Sequence, residues 1–290
     1  MSWRPFRRRR MGDGPVPGFS PVPSSVPRLL SAVTFTLTNL IGLVAYLYPF
    51  WLPVRLAGGE TSGHAGDALL VFGLLVSLCL LVLLAEMTGG AVNTKVIAVL
   101  GVLTAVNALA RLADNIVQLP GGFSPIFLLI ILVGYAYGAR LGFLLGVFTM
   151  MVSAFLLAGV GPWLPYQMFA AGWVGLTAGW LGRLGLRGKA EIAALTVFGL
   201  IWGFLYGAIT NVYFWPFVIA EGGSWEPGLG LGETLRRYAG FYLATSLWWD
   251  AMAAVGNVAL VIALGRPLLS ALRRFRRRFQ FEIAPELVEV

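Results

Sequence analysis

The sequence has little charge: Asp, Glu, Lys and Arg make up 12% of its 290 residues, whereas hydrophobic residues make up 58%. A soluble domain needs about 25% charged residues to cover its surface. The apolar residues fall in runs of roughly 20, the length of helix that crosses about 30 Å of hydrocarbon. The alternation over about 10 residues that is typical of membrane barrels is lacking. The sequence therefore predicts an all-α membrane protein that acts in or across a bilayer.

Cysteine and histidine occur once each, as Cys79 and His64. A single cysteine excludes an internal disulfide and a cysteine-ligated metal, and a single histidine offers little to a metal centre or a Ser-His-Asp triad. A phosphate-binding loop of the G-x-x-x-x-G-K-[ST] type is also missing, since residues 182–190 have the wrong spacing and Ala190 follows Lys189. We therefore expect no ATP site, no catalytic residues, no metal and no covalently bound cofactor.

Eight membrane spans account for the apolar runs. Their predicted bounds are 29–52, 68–88, 95–112, 123–138, 141–158, 165–182, 192–215 and 238–264. With the N-terminus placed inside, four of the 21 Lys and Arg residues lie on outer ends, namely Arg55, Arg111, Arg236 and Arg237. Positive residues accumulate on the cytoplasmic side, so both termini are predicted to be cytoplasmic. Residues 1–28 are predicted to be a disordered, basic, Pro-rich arm, and residues 267–290 a basic cytoplasmic tail.

Small residues recur along one face of the third span. Ala98, Gly101, Ala105 and Ala108 are spaced by three or four residues, which places them on one side of a helix. Small side chains let another helix approach closely, and this approach drives helix association in lipid. From the residues alone, the face either contacts a neighbouring helix of the same chain or docks a separate subunit.

A second small-residue series lies at the fourth and fifth spans. Its members, Gly134, Gly138, Gly142 and Gly146, are spaced by four, but the series crosses the turn predicted at Arg140. It is therefore not one straight stripe. We interpret it as two helix ends that pack tightly around that turn, which is a structural role.

Residues 159–167 read Gly-Val-Gly-Pro-Trp-Leu-Pro-Tyr-Gln. The two prolines interrupt helices because they lack a backbone donor. Irregular backbone is tolerated at membrane depth only where protein covers it or where it lines a cavity. The side chains of Trp163, Tyr166 and Gln167 therefore build either the wall of an outer pocket or an interfacial turn with belt aromatics.

Polar groups in or near the spans are candidates for ligand contact. Asn107 and Arg111 share a face of the third span, and Asn211 lies near the outer end of the seventh. Asp250 is predicted about twelve residues into the last span, where a carboxylate usually faces the interior or a cavity. It either pairs with Arg111 or hydrogen-bonds across helices as structural glue. With the aromatic residues of the outer side, the candidate substrate-binding residues are Asn107, Arg111, Trp163, Tyr166, Gln167, Asn211, Trp215, Trp249 and Asp250.

Several stretches between Lys95 and Leu264 carry a family resemblance. They are 100–105, 122–125, 134–138, 142–146, 159–168 and 171–175, with Gly179 behind them. Through them, and above all through the Gly-Pro-Trp-x-Pro-x-Gln run, the sequence resembles the substrate-binding S component of an energy-coupling-factor (ECF) vitamin transporter. It looks closest to the actinobacterial-type members predicted to serve cobalamin.

The resemblance implies a six-helix core, here residues 91–266, that binds a vitamin on the extracellular side of a bacterial cytoplasmic membrane. It also implies docking on a transmembrane T component, which two ATPase subunits drive, through a small-residue motif on the first core helix. That motif maps to Gly101 and Ala105, with Ala98 extending it. The family pattern usually has Ala at both positions, so Gly101 departs from it while keeping the small size. Two additional N-terminal helices, within residues 29–90, are another departure.

Two other functions are open on the residues alone. Secondary transporters are commonly built from paired halves with broken helices in matching positions. In this sequence one clear break is found, at Pro162 and Pro165. An intramembrane enzyme acting on a lipid-linked substrate needs several embedded acids or histidines near one interface, and the chain offers little beyond Asp250 and Glu86. The resemblance instead implies a substrate-specific subunit of an ECF-type importer that binds cobalamin or a related corrinoid, and not an enzyme.

Overall fold

The computed structural model describes residues 25–51, 68–88, 94–117, 123–157, 159–218 and 223–279. Residues 1–24 of the predicted arm, the loop that carries His64, and residues 280–290 of the predicted tail lie outside this part. In the part that is described, the regular elements are all helices and no strand is present. The predicted all-α fold class is thus confirmed for these residues.

The first seven helices begin and end within about five residues of the predicted spans, and two helices take the place of the eighth span. They are α1 (Ser25–Leu47, followed by a 3-10 turn, Tyr48–Phe50), α2 (Ala68–Thr88), α3 (Thr94–Val117), α4 (Ile126–Tyr137), α5 (Ala139–Leu156), α6 (Leu164–Gly182), α7 (Gly188–Phe214, followed by a 3-10 turn, Trp215–Phe217), α8 (Leu231–Thr245) and α9 (Leu247–Phe279). Five stretches of the described chain are long and apolar enough to cross a membrane, namely Leu29–Phe50, Ile97–Ile116, Ala139–Leu156, Gly188–Phe217 and Leu247–Arg276. Two shorter apolar stretches are Leu69–Val82 and Ile126–Tyr137. The count of eight spans stays a prediction.

Close contact of α4, α5 and α6 forms the centre of the fold. A Cβ added to Gly175 of α6 would lie 2.1 Å from the carbonyl oxygen of Gly142 in α5, and one added to Gly134 of α4 would lie 2.2 Å from that of Gly175. Gly138, with φ 103°, joins α4 to α5 two residues before Arg140. Only glycine permits both the close approach and this dihedral angle. The interpretation of the series as two helix ends packed around a turn is confirmed.

The other helices attach to this centre at different places. α3 packs mainly on α5 and α4, and α9 packs on α7 and α4. The N-terminal helices α1 and α2 pack on each other and on α6, and α1 also meets α7. The two additional helices are therefore part of the packed bundle, and they are attached to a different part of the core from α3.

The ends of α4, α7 and α9 that are predicted to be cytoplasmic meet through polar contacts. Arg273 of α9 forms an ion pair with the buried carboxylate of Glu191 in α7, and Arg276 donates a hydrogen bond to the carbonyl oxygen of Ala136 in α4 at 2.6 Å. α9 continues to Phe279, so the first part of the predicted tail is helical. The basic residues near these three ends therefore share one side of the protein. This placement agrees with the predicted orientation, which stays a prediction.

The prediction of one continuous last span, 238–264, is wrong. α8 ends at Thr245 and α9 begins at Leu247. Between them Ser246 leaves helical geometry (φ −124°, ψ −26°), and its hydroxyl accepts a hydrogen bond from the Asn211 amide of α7 at 2.6 Å. Asp250 consequently lies in the first turn of α9 instead of deep in a span. A carboxylate is favourable there because the helix N-terminus carries partial positive charge.

α8 begins at Leu231, within the stretch 216–237 that separates the last two predicted spans. It has no fully buried residue. Near its start, Glu233 accepts hydrogen bonds from Arg236 and Arg237 at 2.8 Å, and these bonds lower the pKa of Glu233 to about 2. The cluster therefore stays charged at neutral pH, and this end of α8 suits the aqueous side. Tyr242, near its other end, is turned towards α7 and α9.

Candidate functional site

Two levels of side-chain hydrogen bonds join α3 to α5 near their outer ends. The Asn107 amide donates to Thr149 Oγ1 at 3.2 Å and to the carbonyl oxygen of Ile126 at 3.0 Å. One turn further out, Arg111 Nη1 donates to Ser153 Oγ at 2.8 Å. On each helix the two side chains are four residues apart and so share a face. The structure thus brings Asn107 and Arg111 together on the side of α3 that packs on α5.

Asn107 and Arg111 keep unused hydrogen-bonding capacity. Asn107 is fully buried, and its Oδ1 has no hydrogen-bond partner among the described residues. A guanidinium has five N–H donors, but the contacts of Arg111 within the described chain, to Ser153 and to Met150 Sδ at 3.8 Å, involve Nη1 alone. A buried polar group without a partner costs free energy. A polar ligand at this level would supply such partners.

Asp250 lies in the first turn of α9, where the end of α8 meets α7. Its carboxylate accepts a hydrogen bond from Tyr242 at 2.8 Å and rests against Gly207 of α7. Tyr206, the neighbour of Gly207, is within electrostatic reach of both Asp250 and Arg111. No ion pair joins Arg111 to Asp250, because the carboxylate is held at Gly207 and Tyr242. Of the two roles open from the sequence, direct pairing with Arg111 is wrong, and the structure shows a hydrogen bond across helices.

Aromatic side chains enclose Tyr166 at the outer end of α6. Its ring stacks on Tyr213 of α7, with centroids 4.7 Å apart, and meets the ring of Tyr46 in α1 edge-on at 5.1 Å. Trp215 follows α7, and its Nε1 donates to the carbonyl oxygen of Gly223 at 3.0 Å. Tyr166 and Trp215 are both fully buried. They therefore belong to the packed interior and are not surface belt residues.

Two of the predicted aromatic residues are exposed instead. Trp163 is 42% exposed and Trp249 is 55% exposed. Trp163 precedes the first turn of α6, and its ring lies over Gly161. Its carbonyl oxygen accepts the backbone N–H of the partly buried Gln167 at 3.0 Å. Trp163 and Gln167 thus lie at the N-terminal end of α6. Trp249 lies on the exposed face of α9, apart from the enclosed residues.

The helices that carry these residues match a known protein family by sequence. The family model for the ECF transporter substrate-specific component matches residues 95–265, more than half of the chain. The chain belongs to this family. S components are membrane subunits that bind the transported substrate, and they are not enzymes. Comparisons with curated proteins and with solved structures gave no match.

The small-residue face of this S component is exposed. Ala98, Gly101 and Ala105 are exposed, and a Cβ added to Gly101 would meet no described atom within 4 Å. Ala108, the fourth member of the series, is fully buried. Within the described chain, contact with a neighbouring helix therefore applies to Ala108. The other three residues are accessible to a separate helix.

Sequence reasoning missed four polar residues of this S component that lie in the same region. Thr149 and Ser153 of α5, and Tyr206 and Tyr213 of α7, contact the predicted residues or lie within electrostatic reach of them. The sequence contains a weak indication of these residues. The two members of each pair are four or seven positions apart, which places them on one face of a helix. Within the described ranges, no three His, Cys, Asp or Glu side chains come together in a group that holds a metal.

Proposed function

We propose that this S component binds a vitamin on the extracellular side, with cobalamin or a related corrinoid as the first candidate. It then delivers the vitamin inward by docking on a transmembrane T component that two separate ATPases drive. The observation that carries this proposal is the placement of Arg111 and Asp250 near outer helix ends. Neither forms an ion pair within 4 Å among the described residues, and the nearest charge to Arg111 on its own helix is Asp114, which lies within electrostatic reach. Ionisable groups in membrane helices commonly mark substrate sites.

The choice of ligand rests on the family resemblance and on the chemistry of the side chains. The resembling S components are those predicted to serve cobalamin. A corrinoid carries amide groups, and cobalamin also carries a phosphate, so the free donors of Arg111 suit its acceptors. Trp163, which is 42% exposed, offers aromatic surface of the kind that lines ligand sites. Other vitamins share some of this chemistry, and the ligand has to be identified directly.

The first experiment identifies the compound that the protein carries. The full chain is purified in detergent from cells grown in rich medium and denatured, and the absorption and mass spectra of the released compound are recorded. We expect a corrinoid in roughly equimolar amount to protein, as a tight complex requires. A flavin or another vitamin would overturn the choice of cobalamin. An empty protein that binds no added vitamin would overturn the proposal and favour a secondary transporter.

The proposed docking face makes a prediction about subunit association. Gly101→Leu and Ala105→Leu are expected to reduce co-purification with the T component by about tenfold or more, because a bulky side chain separates helices that pack through small residues. Vitamin binding by the isolated S component is expected to stay unchanged, because both positions are exposed on α3 whereas Asn107 and Arg111 face α5. Pull-down with a tagged T component measures the first quantity, and a binding titration measures the second.

Gly73→Leu in α2 is the matched control for docking. A Cβ at Gly73 also meets no described atom within 4 Å, but α2 packs on α1 and α6, away from α3. This variant is expected to retain full association with the T component. Unchanged co-purification of Gly101→Leu and Ala105→Leu, or an equal loss in Gly73→Leu, would remove the α3 face from the proposal.

A second prediction concerns Trp163 and Gln167 at the N-terminal end of α6. Trp163→Ala and Gln167→Ala are each expected to weaken vitamin binding by about 3- to 30-fold, because each removes one contact of ordinary size from the site. Trp180→Ala is the control, since Trp180 is 54% exposed near the other end of the same helix. Binding is measured by titration of the purified proteins at equal yield. If both outer variants bind as tightly as Trp180→Ala, the 159–167 turn has a structural role alone.

A further inference from the structure

The N-terminal helices precede the stretch that matches the family, residues 95–265, yet α1 reaches the candidate site. Near the outer end of α1, Tyr46 is 2% exposed, and its hydroxyl donates to the carbonyl oxygen of Tyr166 at 2.6 Å. Its ring also meets Tyr166 edge-on, and Tyr166 stacks on Tyr213. One side chain of α1 is thereby joined to the outer turns of α6 and, through Tyr166, of α7.

Phe50, one turn beyond Tyr46, contacts the segment that connects α7 to α8. Its ring lies 5.4 Å from that of Trp225, in an edge-to-face arrangement, and 6.1 Å from that of Trp215. Trp215 is fully buried and also meets the ring of Tyr238 in α8 at 5.1 Å. Phe50 and Tyr238 therefore both pack on Trp215. Such aromatic pairs favour particular ring geometries and so resist displacement.

The contacts continue from α8 to the carboxylate of the candidate site. The Tyr238 hydroxyl donates to the carbonyl oxygen of Ala208 in α7, and Tyr242, one turn later, donates to Asp250. α1 is thus linked to the candidate site at two places: through Tyr46 to Tyr166, and through Phe50, Trp215 and α8 to Asp250.

From these contacts we propose that Tyr46 and Phe50 are positioning residues for the ligand site, supplied by helices outside the family-matched core. They hold the outer turn of α6, together with Trp215 and Trp225, in the arrangement that the bound ligand requires. This inference rests on the proposed function. It assigns to the first additional helix a role in ligand retention, because loosening either contact lets the outer side open and the ligand leave.

The test compares Tyr46→Phe and Phe50→Leu with the wild-type chain, using cyanocobalamin as the probe. Tyr46→Phe removes one hydroxyl, and Phe50→Leu removes the aromatic ring while keeping an apolar side chain. Each is expected to raise Kd by about 2- to 10-fold, chiefly through faster dissociation, as loss of one hydrogen bond or one ring pair implies. Stopped-flow mixing measures the dissociation rate, and thermal unfolding measures Tm in the same samples.

Phe35→Leu is the control on the same helix. Phe35 lies about three turns inward of Tyr46, and its ring meets that of Phe143 in α5 edge-on, with centroids 5.3 Å apart. This variant removes the same aromatic ring as Phe50→Leu and loosens α1 from the core without touching the outer contacts, so it is expected to lower Tm while the Kd stays unchanged. A merely structural role of Tyr46 and Phe50 would make all three variants alike in Kd. Unchanged Kd in both outer variants, or an equal rise in Phe35→Leu, overturns the inference.

A second measurement separates this inference from the proposed function. Amide hydrogen exchange over residues 223–230 is followed without ligand in the wild type, Phe50→Leu and Phe35→Leu. Exchange is expected to be faster in Phe50→Leu alone, because only that variant releases Trp215 and Trp225. Unchanged exchange overturns the positioning role, whatever the ligand. If exchange is faster in Phe50→Leu but the wild-type chain binds no vitamin, the proposed function is overturned and the contact made by Phe50 is not.

Discussion

Replacement of Arg111 by methionine is expected to weaken cyanocobalamin binding by roughly 10- to 100-fold, the loss that follows removal of hydrogen bonds from a charged group. Methionine keeps much of the apolar stem of the side chain but has none of the five N–H donors of a guanidinium. The hydrogen bond to Ser153 is lost as well. We therefore expect a modest fall in Tm together with the large rise in Kd, both measured on purified protein.

Arg236→Met is the matched control for this experiment. Arg236 is also placed on the outer side, but its side chain is 76% exposed and is paired with Glu233 on α8. Its replacement changes the net charge by the same amount and is expected to leave Kd unchanged. Equal weakening in both variants would indicate a general effect of outer positive charge. Wild-type affinity in Arg111→Met would exclude Arg111 from the ligand site.

Gly175→Val is expected to abolish folding, because the added side chain has no space between α6 and α5. A Cβ at this position would lie 2.1 Å from the carbonyl oxygen of Gly142, which is backbone and cannot rotate away. Overpacking that neighbouring side chains can relieve costs about 1–3 kcal/mol. A backbone clash of this kind forces the helices apart, so we expect a cost above about 4 kcal/mol, at the extreme of single substitutions.

The measurement for Gly175→Val is the yield of monodisperse protein in size-exclusion chromatography after detergent extraction. Gly73→Val in α2 is the control, because the same side chain is added where no described atom lies within 4 Å of the new Cβ. It is expected to give the wild-type yield. A normal yield and Tm for Gly175→Val would contradict the packing of α6 on α5 described above.

The pair Asn107 and Arg111 shows what the spacing of residues along a helix can predict and what it cannot. Their spacing predicts that they share a face, and the structure places them on one. Their partners Thr149 and Ser153 each lie 42 positions later in the chain. No local rule joins those positions, because the pairing depends on how α3 and α5 are placed side by side. The ligand role of both predicted residues stays a proposal.

The end of the chain shows where a local pattern misleads. Residues 238–264 are apolar enough to suggest one helix, but Ser246 interrupts it. The break is tied to Asn211, 35 positions earlier, and it moves Asp250 to a helix N-terminus. There Asp250 meets Gly207 and Tyr242 instead of Arg111. A charge pattern cannot predict this choice, since either partner satisfies the carboxylate.

The sequence by itself determined that the chain is helical, lies in a membrane and is an S component. These properties depend on features that each segment has by itself: the length of its apolar run, the hydrogen bonds within its own backbone and the order of residues in a motif. Only the tertiary structure decided that Ala108 is buried while Gly101 stays exposed, and that α1 reaches Tyr166, 120 positions away. The reason is physical: small residues and polar groups suit several partners equally, and the partner is chosen when whole helix faces meet.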